Sequence, residues 1–172
     1  RGNYIDSFSK KLQKFTGCKY ILLTSSGTAA LFLSLKTINV EKCEVLLPSM
    51  TFVATPNSII EANGIPNFID SSKDSLNISA SKLTQYLQKI ATMKDKVCVN
   101  KITGRVIKAI IIVHAYGDPA NLASIKKIIK KYNIETIEDG AGALGSFYNK
   151  KHIGTTSRCS ILSFNGNKII TT

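Results

Sequence analysis

A chain of 172 residues, 44% of them hydrophobic, is long enough for one domain with its own core, and no apolar run reaches bilayer-spanning length. Its 23 Lys and Arg against 11 Asp and Glu give a net charge of +12, which raises nucleic acid as a partner. The lysines, however, are dispersed over amphipathic segments such as Lys126-Lys127 and Lys130-Lys131, where they form solvated faces, and no nucleic-acid-binding motif accompanies them. The four cysteines (Cys18, Cys43, Cys98, Cys159) include no CxxC pair. That argues against a zinc site or disulfide framework and suits a reducing cytoplasm. The start, Arg1-Gly2-Asn3-Tyr4-Ile5-Asp6, has no secretory pattern and no initiator Met, so a piece of a longer protein is expected.

Helical and strand patterns alternate along the chain, which predicts a largely parallel α/β sheet. A helix capped by Asp6 or Ser7 carries Phe8, Leu12 and Phe15 on one face and stops at Gly17. Lys19–Thr24 reads as a buried strand. Thr28–Ile38 is a helix with Leu31 and Leu35 inward, and Glu44–Leu47 is a strand ended by Pro48. Phe52–Asn63 is a helix stopped by Gly64, followed by a short strand, Ile65–Ile69. Ser81–Ala91 is amphipathic through Leu83, Leu87 and Ile90. A hairpin-like insertion over Val97–Val106 then feeds Ala109–Val113, whose all-apolar run marks a central strand. Leu122, Ile125, Ile129 and Tyr132 mark a helix, Ile134–Glu138 a strand, and Phe147–Ile153 a second hairpin turning near Asn149-Lys150.

The residues with chemical potential fall at the carboxyl ends of these strands, where ligands of open α/β sheets bind. Ser25-Ser26-Gly27-Thr28 opens a helix, and a helix N-terminus offers free N–H groups and a positive dipole end to a phosphate; an ordinary Ser N-cap accounts for the same residues. Phe52 lies just past a strand end and could stack on a flat ring or fill the core. His114, in Val113-His114-Ala115-Tyr116-Gly117, is a site residue or a structural histidine. Neither it nor His152 has metal-ligand spacing, and no metal site is expected. Asp139 could hold a ring nitrogen protonated or cap a helix. Gly140-Ala141-Gly142-Ala143-Leu144-Gly145 matches the dinucleotide pattern GxGxxG, but residues 146–168 contain no Asp or Glu to hold a ribose, and that reading is rejected. Lys168 follows the turn Asn165-Gly166-Asn167, with the hydroxyl of Ser163 five residues behind it. A desolvated Lys can form an imine with a carbonyl, whereas an ordinary turn Lys is a surface charge.

A phosphate seat, a ring stacker, an acid, a hydroxyl and an amine together suit pyridoxal phosphate. At these residues the chain resembles the DegT/DnrJ/EryC1/StrS sugar aminotransferases, within fold-type-I pyridoxal phosphate enzymes. The resemblance runs in order through Thr24–Leu31, Pro48–Thr55, Val113–Gly117, Ile137-Glu138-Asp139 and Ser163–Lys168. The 100–105 insertion and the Ser-Phe-Asn-Gly-Asn-Lys motif look closest to the LegC-like branch, which acts on UDP-linked 4-keto-6-deoxy-N-acetylhexosamines. The resemblance implies a three-layer α/β/α sandwich with a mostly parallel sheet: residues 1–172 as the cofactor-binding large domain, shortened at both ends and without the small C-terminal domain. It implies that Lys168 carries the cofactor and acts as general base, that Asp139 keeps the pyridine nitrogen protonated, that Phe52 stacks on the ring, and that Gly27, Thr28 and Ser163 bind the phosphate. His114 is a candidate substrate contact. Glutamate would be the donor, the C4 ketone of a nucleotide sugar the acceptor, and a cytoplasmic homodimer the working form. Gly142 departs from the family, which usually carries a polar residue there. That departure and the short length favour an alternative, a non-catalytic fold kept for assembly.

Overall fold

The computed structural model describes residues 2–172. Helix α1 (Asn3–Thr16) starts earlier than predicted: Gly2 is its N-cap, and Asp6 lies in its first turn, where a carboxylate complements the helix dipole without capping. Its end is as expected, with Gly17 left-handed at φ 75° and its N–H on the Gln13 carbonyl. Then follow α2 (Gly27–Ile38), β1 (Glu44–Pro48), α3 (Ala54–Glu61), β2 (Ile65–Ile69), α4 (Ala80–Ile90), β3 (Ala91–Lys94), β4 (Val97–Asn100) and β5 (Ile107–Val113). The chain closes with α5 (Leu122–Lys130), β6 (Glu135–Asp139), β7 (Phe147–Tyr148), β8 (Lys151–His152) and β9 (Cys159–Ile161).

Five strands form one parallel sheet in the order β2-β1-β5-β6-β9. Side-chain alternation along β1 and β5 builds a core on each face. Val45, Leu47, Ala109 and Ile111 meet Leu31, Leu35 and Ile59 of α2 and α3. Leu46, Ile110 and Ile112 meet Leu83, Leu87, Ile125 and Ile129 of α4 and α5. The result is the expected α/β/α sandwich. The order reverses between β1 and β5, so a crevice opens at their carboxyl ends.

Two predicted elements differ. The insertion hairpin pairs β3 with β4 and turns at Asp95 and Lys96, both at positive φ, so it begins directly at the end of α4. Asn100–Arg105 is the loop beyond it, closed by the Asn100 N–H on the Arg105 carbonyl. The second mismatch is Lys19–Thr24, which forms no strand and leaves Tyr20 and Leu22 each 78% exposed. A strand exists only through a neighbour's hydrogen bonds. Among the described residues β9, which pairs on one side with β6, has none on the other, and a wide cleft lies between it and Lys19–Thr24.

Candidate active site

Strand β6 sets the centre of the site. Its alternation sends Ile137 into the α2–α3 core, Glu138 toward α5 and Asp139 toward α3. Asp139 is buried; its Oδ2 accepts from the Thr55 hydroxyl at 2.8 Å and its Oδ1 from the Ala141 N–H at 3.1 Å. Thr51 in turn donates to the Thr55 hydroxyl at 2.9 Å. Burial pushes the Asp139 pKa up, and the Thr55 and Ala141 donors with the Lys168 charge only partly oppose it. A carboxylate so placed keeps its charge best with a cation directly against it.

The phosphate candidates also converge. Ser26 caps α2, its hydroxyl accepting from the Ala29 N–H at 3.1 Å, so the ordinary capping reading holds for that residue. Gly27 and Thr28 form the first turn, whose N–H groups have no partner within the helix. A Cβ on Gly27 would lie 3.4 Å from Ser163 Cβ and 3.6 Å from its Oγ, so Ser163, just past β9, stands against the helix mouth. Phe52 is 72% exposed rather than in the core, and Lys168 Nζ lies 5.8 Å from its ring centroid. All of these line a single cleft of about 1940 Å³.

His114 borders the cleft, but its side chain is fully buried and both ring nitrogens are engaged. Nδ1 accepts from the Ala120 N–H at 3.1 Å, which leaves Nε2–H to donate to Glu138 Oε2 at 3.1 Å. It therefore offers no free polar atom to a substrate. Glu138 also accepts from Ser157, Thr156, the Gly154 N–H and Lys126. Burial alone would raise its pKa, but these donors and the Lys126 charge together lower it to about 2. His152 is likewise satisfied, with the Gly145 N–H on Nε2 at 2.9 Å. The glycine pattern at 140–145 leads into turns and a two-residue strand, not a helix, so the structure too contradicts a dinucleotide site. Among the described residues there is no cluster of metal-ligating side chains, and no helix is long and apolar enough to cross a membrane.

Sequence reasoning missed Thr51, Thr55 and Glu138. The signal for the threonines was their place between a strand end and a helix start, with Thr55 in the first turn of α3 and Thr51 in the bend before it. Glu138 reads as an ordinary strand residue until its buried partners are placed.

The model of the DegT/DnrJ/EryC1/StrS aminotransferase family matches residues 1–172. The chain belongs to this family. It is 36% identical to the GDP-perosamine synthase of Escherichia coli O157:H7, over 100% of this chain and 43% of that protein. It is 34% identical to the UDP-4-amino-4,6-dideoxy-N-acetyl-β-L-altrosamine transaminase of Campylobacter jejuni, over 99% of this chain and 42% of that protein. The crystal structure of NtdA from Bacillus subtilis, with its cofactor pyridoxamine phosphate bound, superposes with a TM-score of 0.83 at 26% identity, covering 99% of this chain and 35% of that one. The chain thus spans less than half the length of these relatives.

The DegT/DnrJ/EryC1/StrS enzymes use pyridoxal phosphate, and the residues here fit it. The buried Asp139 suits a protonated ring nitrogen, the exposed Phe52 ring suits a stacked pyridine, the α2 mouth with Ser163 suits a phosphate, and Lys168 supplies the amine.

Proposed function

We propose that the protein to which this chain belongs is an aminotransferase that moves an amino group from glutamate to the C4 ketone of a nucleotide-linked 4-keto-6-deoxy sugar, for cell-surface glycan synthesis. The observation that carries the reading is the convergence of Asp139, Phe52, Ser163 and Lys168 on one cleft at the carboxyl ends of parallel strands. The C4 position draws support from the Campylobacter relative, whose name specifies a UDP-linked 4-amino-4,6-dideoxy sugar. Glutamate as donor, the LegC-like branch, the homodimer and the cytoplasmic setting rest on the motif resemblance.

Pyridoxal phosphate, when bound, supplies the electron sink that lets a C–H bond beside nitrogen ionise. The chain's own residues do the rest. Asp139, oriented by Thr55 and the Ala141 N–H, holds a proton on the ring nitrogen. Gly27, Thr28 and Ser163 anchor the phosphate at the positive end of α2. Phe52 fixes the ring plane, and Lys168 Nζ, near that ring, binds the cofactor and carries the transferred proton. This arrangement supports catalysis over a fold kept only for assembly.

Borohydride treatment of the chain incubated with pyridoxal phosphate should leave a covalent label that peptide mass spectrometry maps to Lys168. Lys168→Ala should lose the label and keep its fold. Incubation with glutamate before reduction should release 2-oxoglutarate and protect Lys168 from labelling. Absence of any Lys168 label in the unmodified sequence would sink the cofactor assignment.

A further inference from the structure

Tyr116 stands apart in the backbone. It lies in the left-handed region at φ 53°, ψ 27°, and is 84% exposed. The other non-glycine residues at positive φ are Asn, Asp or Lys, of which Asn and Asp tolerate this region best; Tyr116 is the aromatic among them. A bulky side chain in this region stores strain and persists where neighbours over-determine it. Here they do: the Ala115 N–H donates to Asn77 Oδ1 at 2.9 Å, and Asn77 Nδ2 donates to Asp118 Oδ2 at 2.9 Å. The Asp118 N–H donates to the Ala115 carbonyl at 2.9 Å, and Ser146 Oγ to the Gly117 carbonyl at 2.6 Å. The protein therefore fixes a strained Tyr with its ring in solvent, where the ring contributes little to the fold.

The ring's surroundings give it a use. Gly117 packs against the strand-end turn: a Cβ there would be 3.3 Å from the Gly142 carbonyl. Gly142 follows Asp139 by three residues, and a Cβ on it would meet nothing within 4 Å. Tyr116 and Gly142 both line the cleft that holds Phe52, Asp139 and Lys168. A smaller groove of about 250 Å³, lined by Lys73, Ser75 and Asp118, also borders Tyr116. An exposed aromatic side chain and a bare stretch of backbone, both lining the cleft that holds Asp139 and Lys168, suit a ring with apolar C–H faces and polar edges.

Resting on the aminotransferase reading, we propose that Tyr116 and the bare backbone at Gly142 form the seat of the acceptor's hexose ring, with Tyr116 as a specificity-determining residue. The stored strain is the cost of holding Tyr116 at that cleft.

Saturation-transfer NMR on the pyridoxal-phosphate-treated chain tests this with UDP-N-acetylglucosamine, GDP-mannose and dTDP-glucose as probes. The hexose protons of at least one probe should receive saturation. Tyr116→Gly and Gly142→Leu should each weaken that signal about fivefold, and Tyr116→Phe should retain it, since one aromatic contact is removed, blocked or kept. Tyr116→Gly should also raise the melting temperature by relieving φ, a change that a merely structural tyrosine would reverse. Hexose protons unsaturated by all three probes, or equal signals in every variant, would overturn the proposal. So would a Tyr116→Gly variant that changes sedimentation and leaves the sugar signals intact, since that marks a protein contact. Borohydride labelling of Lys168 in the same samples separates the two readings: loss of label indicts the cofactor site, and a retained label with unchanged sugar signals indicts only this seat.

Discussion

Asp139 and Glu138 are neighbours in sequence with opposite electrostatics, and the difference is made entirely by which face of β6 each occupies. Glu138 is held ionised by its buried donors, its pKa lowered from 4.5 to about 2, so its charge stabilises the fold above pH 4.5 and that contribution disappears as pH falls toward 2. Asp139 has a raised pKa, so its contribution is greatest below 3.8 and declines as pH rises through its folded value. Glu138→Gln should therefore be destabilising at neutral pH, and its deficit against the unmodified sequence should narrow as pH falls from 4.5 toward 2, read from urea melts across that range. Thr55→Val removes one of the two donors seen on Asp139 and leaves a buried oxygen unpaired. It should cost about 1–3 kcal/mol of stability. It should also weaken pyridoxal phosphate binding, measured by absorbance titration. The roles of Asp139, Phe52 and Lys168 came from the motif resemblance, while their positions just past apolar strands were legible in the sequence alone. The satisfaction of His114 was not, because both of its partners come from distant residues that only the fold brings within reach.

At the scale of elements, the alternation of apolar runs with amphipathic stretches sufficed for α2, β1, β2, α4, β5, α5 and β6 within a few residues, since those segments bury one stripe or both faces. Local signals failed where the deciding partner is remote. Lys19–Thr24 has the composition of a strand but no paired neighbour among the described residues, and α1 begins before its apparent cap. Gly140 shows the same limit, for its reason lies in packing rather than in a ligand. A Cβ on Gly140 would sit 2.5 Å from Ile153 Cδ1 and 3.1 Å from the Ile161 carbonyl, so a side chain there must push Ile153 aside and crowd β9. Gly140→Ala should cost about 1–3 kcal/mol in denaturant melts. Gly142→Ala, with open space around it, should be close to neutral.

For the whole molecule, the net charge of +12 favours solubility through self-repulsion, while the unpaired side of β9 and the exposed Tyr20 and Leu22 oppose it. The balance depends on salt. Sedimentation should show the chain self-associating as ionic strength rises and screens the charge, and Leu22→Lys should suppress that association. A further consequence belongs to the sheet order β2-β1-β5-β6-β9. Only β1 and β5 are adjacent without being consecutive in that sheet's chain order, and the bond from Thr55 to Asp139 closes a separation of 84 residues. Such loops must close before their contacts reward them, so slow folding is expected, with the cleft that these distant segments share forming late. A cofactor held, as proposed, by Gly27, Asp139 and Lys168 together would find little to grip until those distant segments meet. It would then act as a brake on unfolding rather than a seed for folding, so added pyridoxal phosphate should lengthen the lifetime of the native chain more than it speeds its formation.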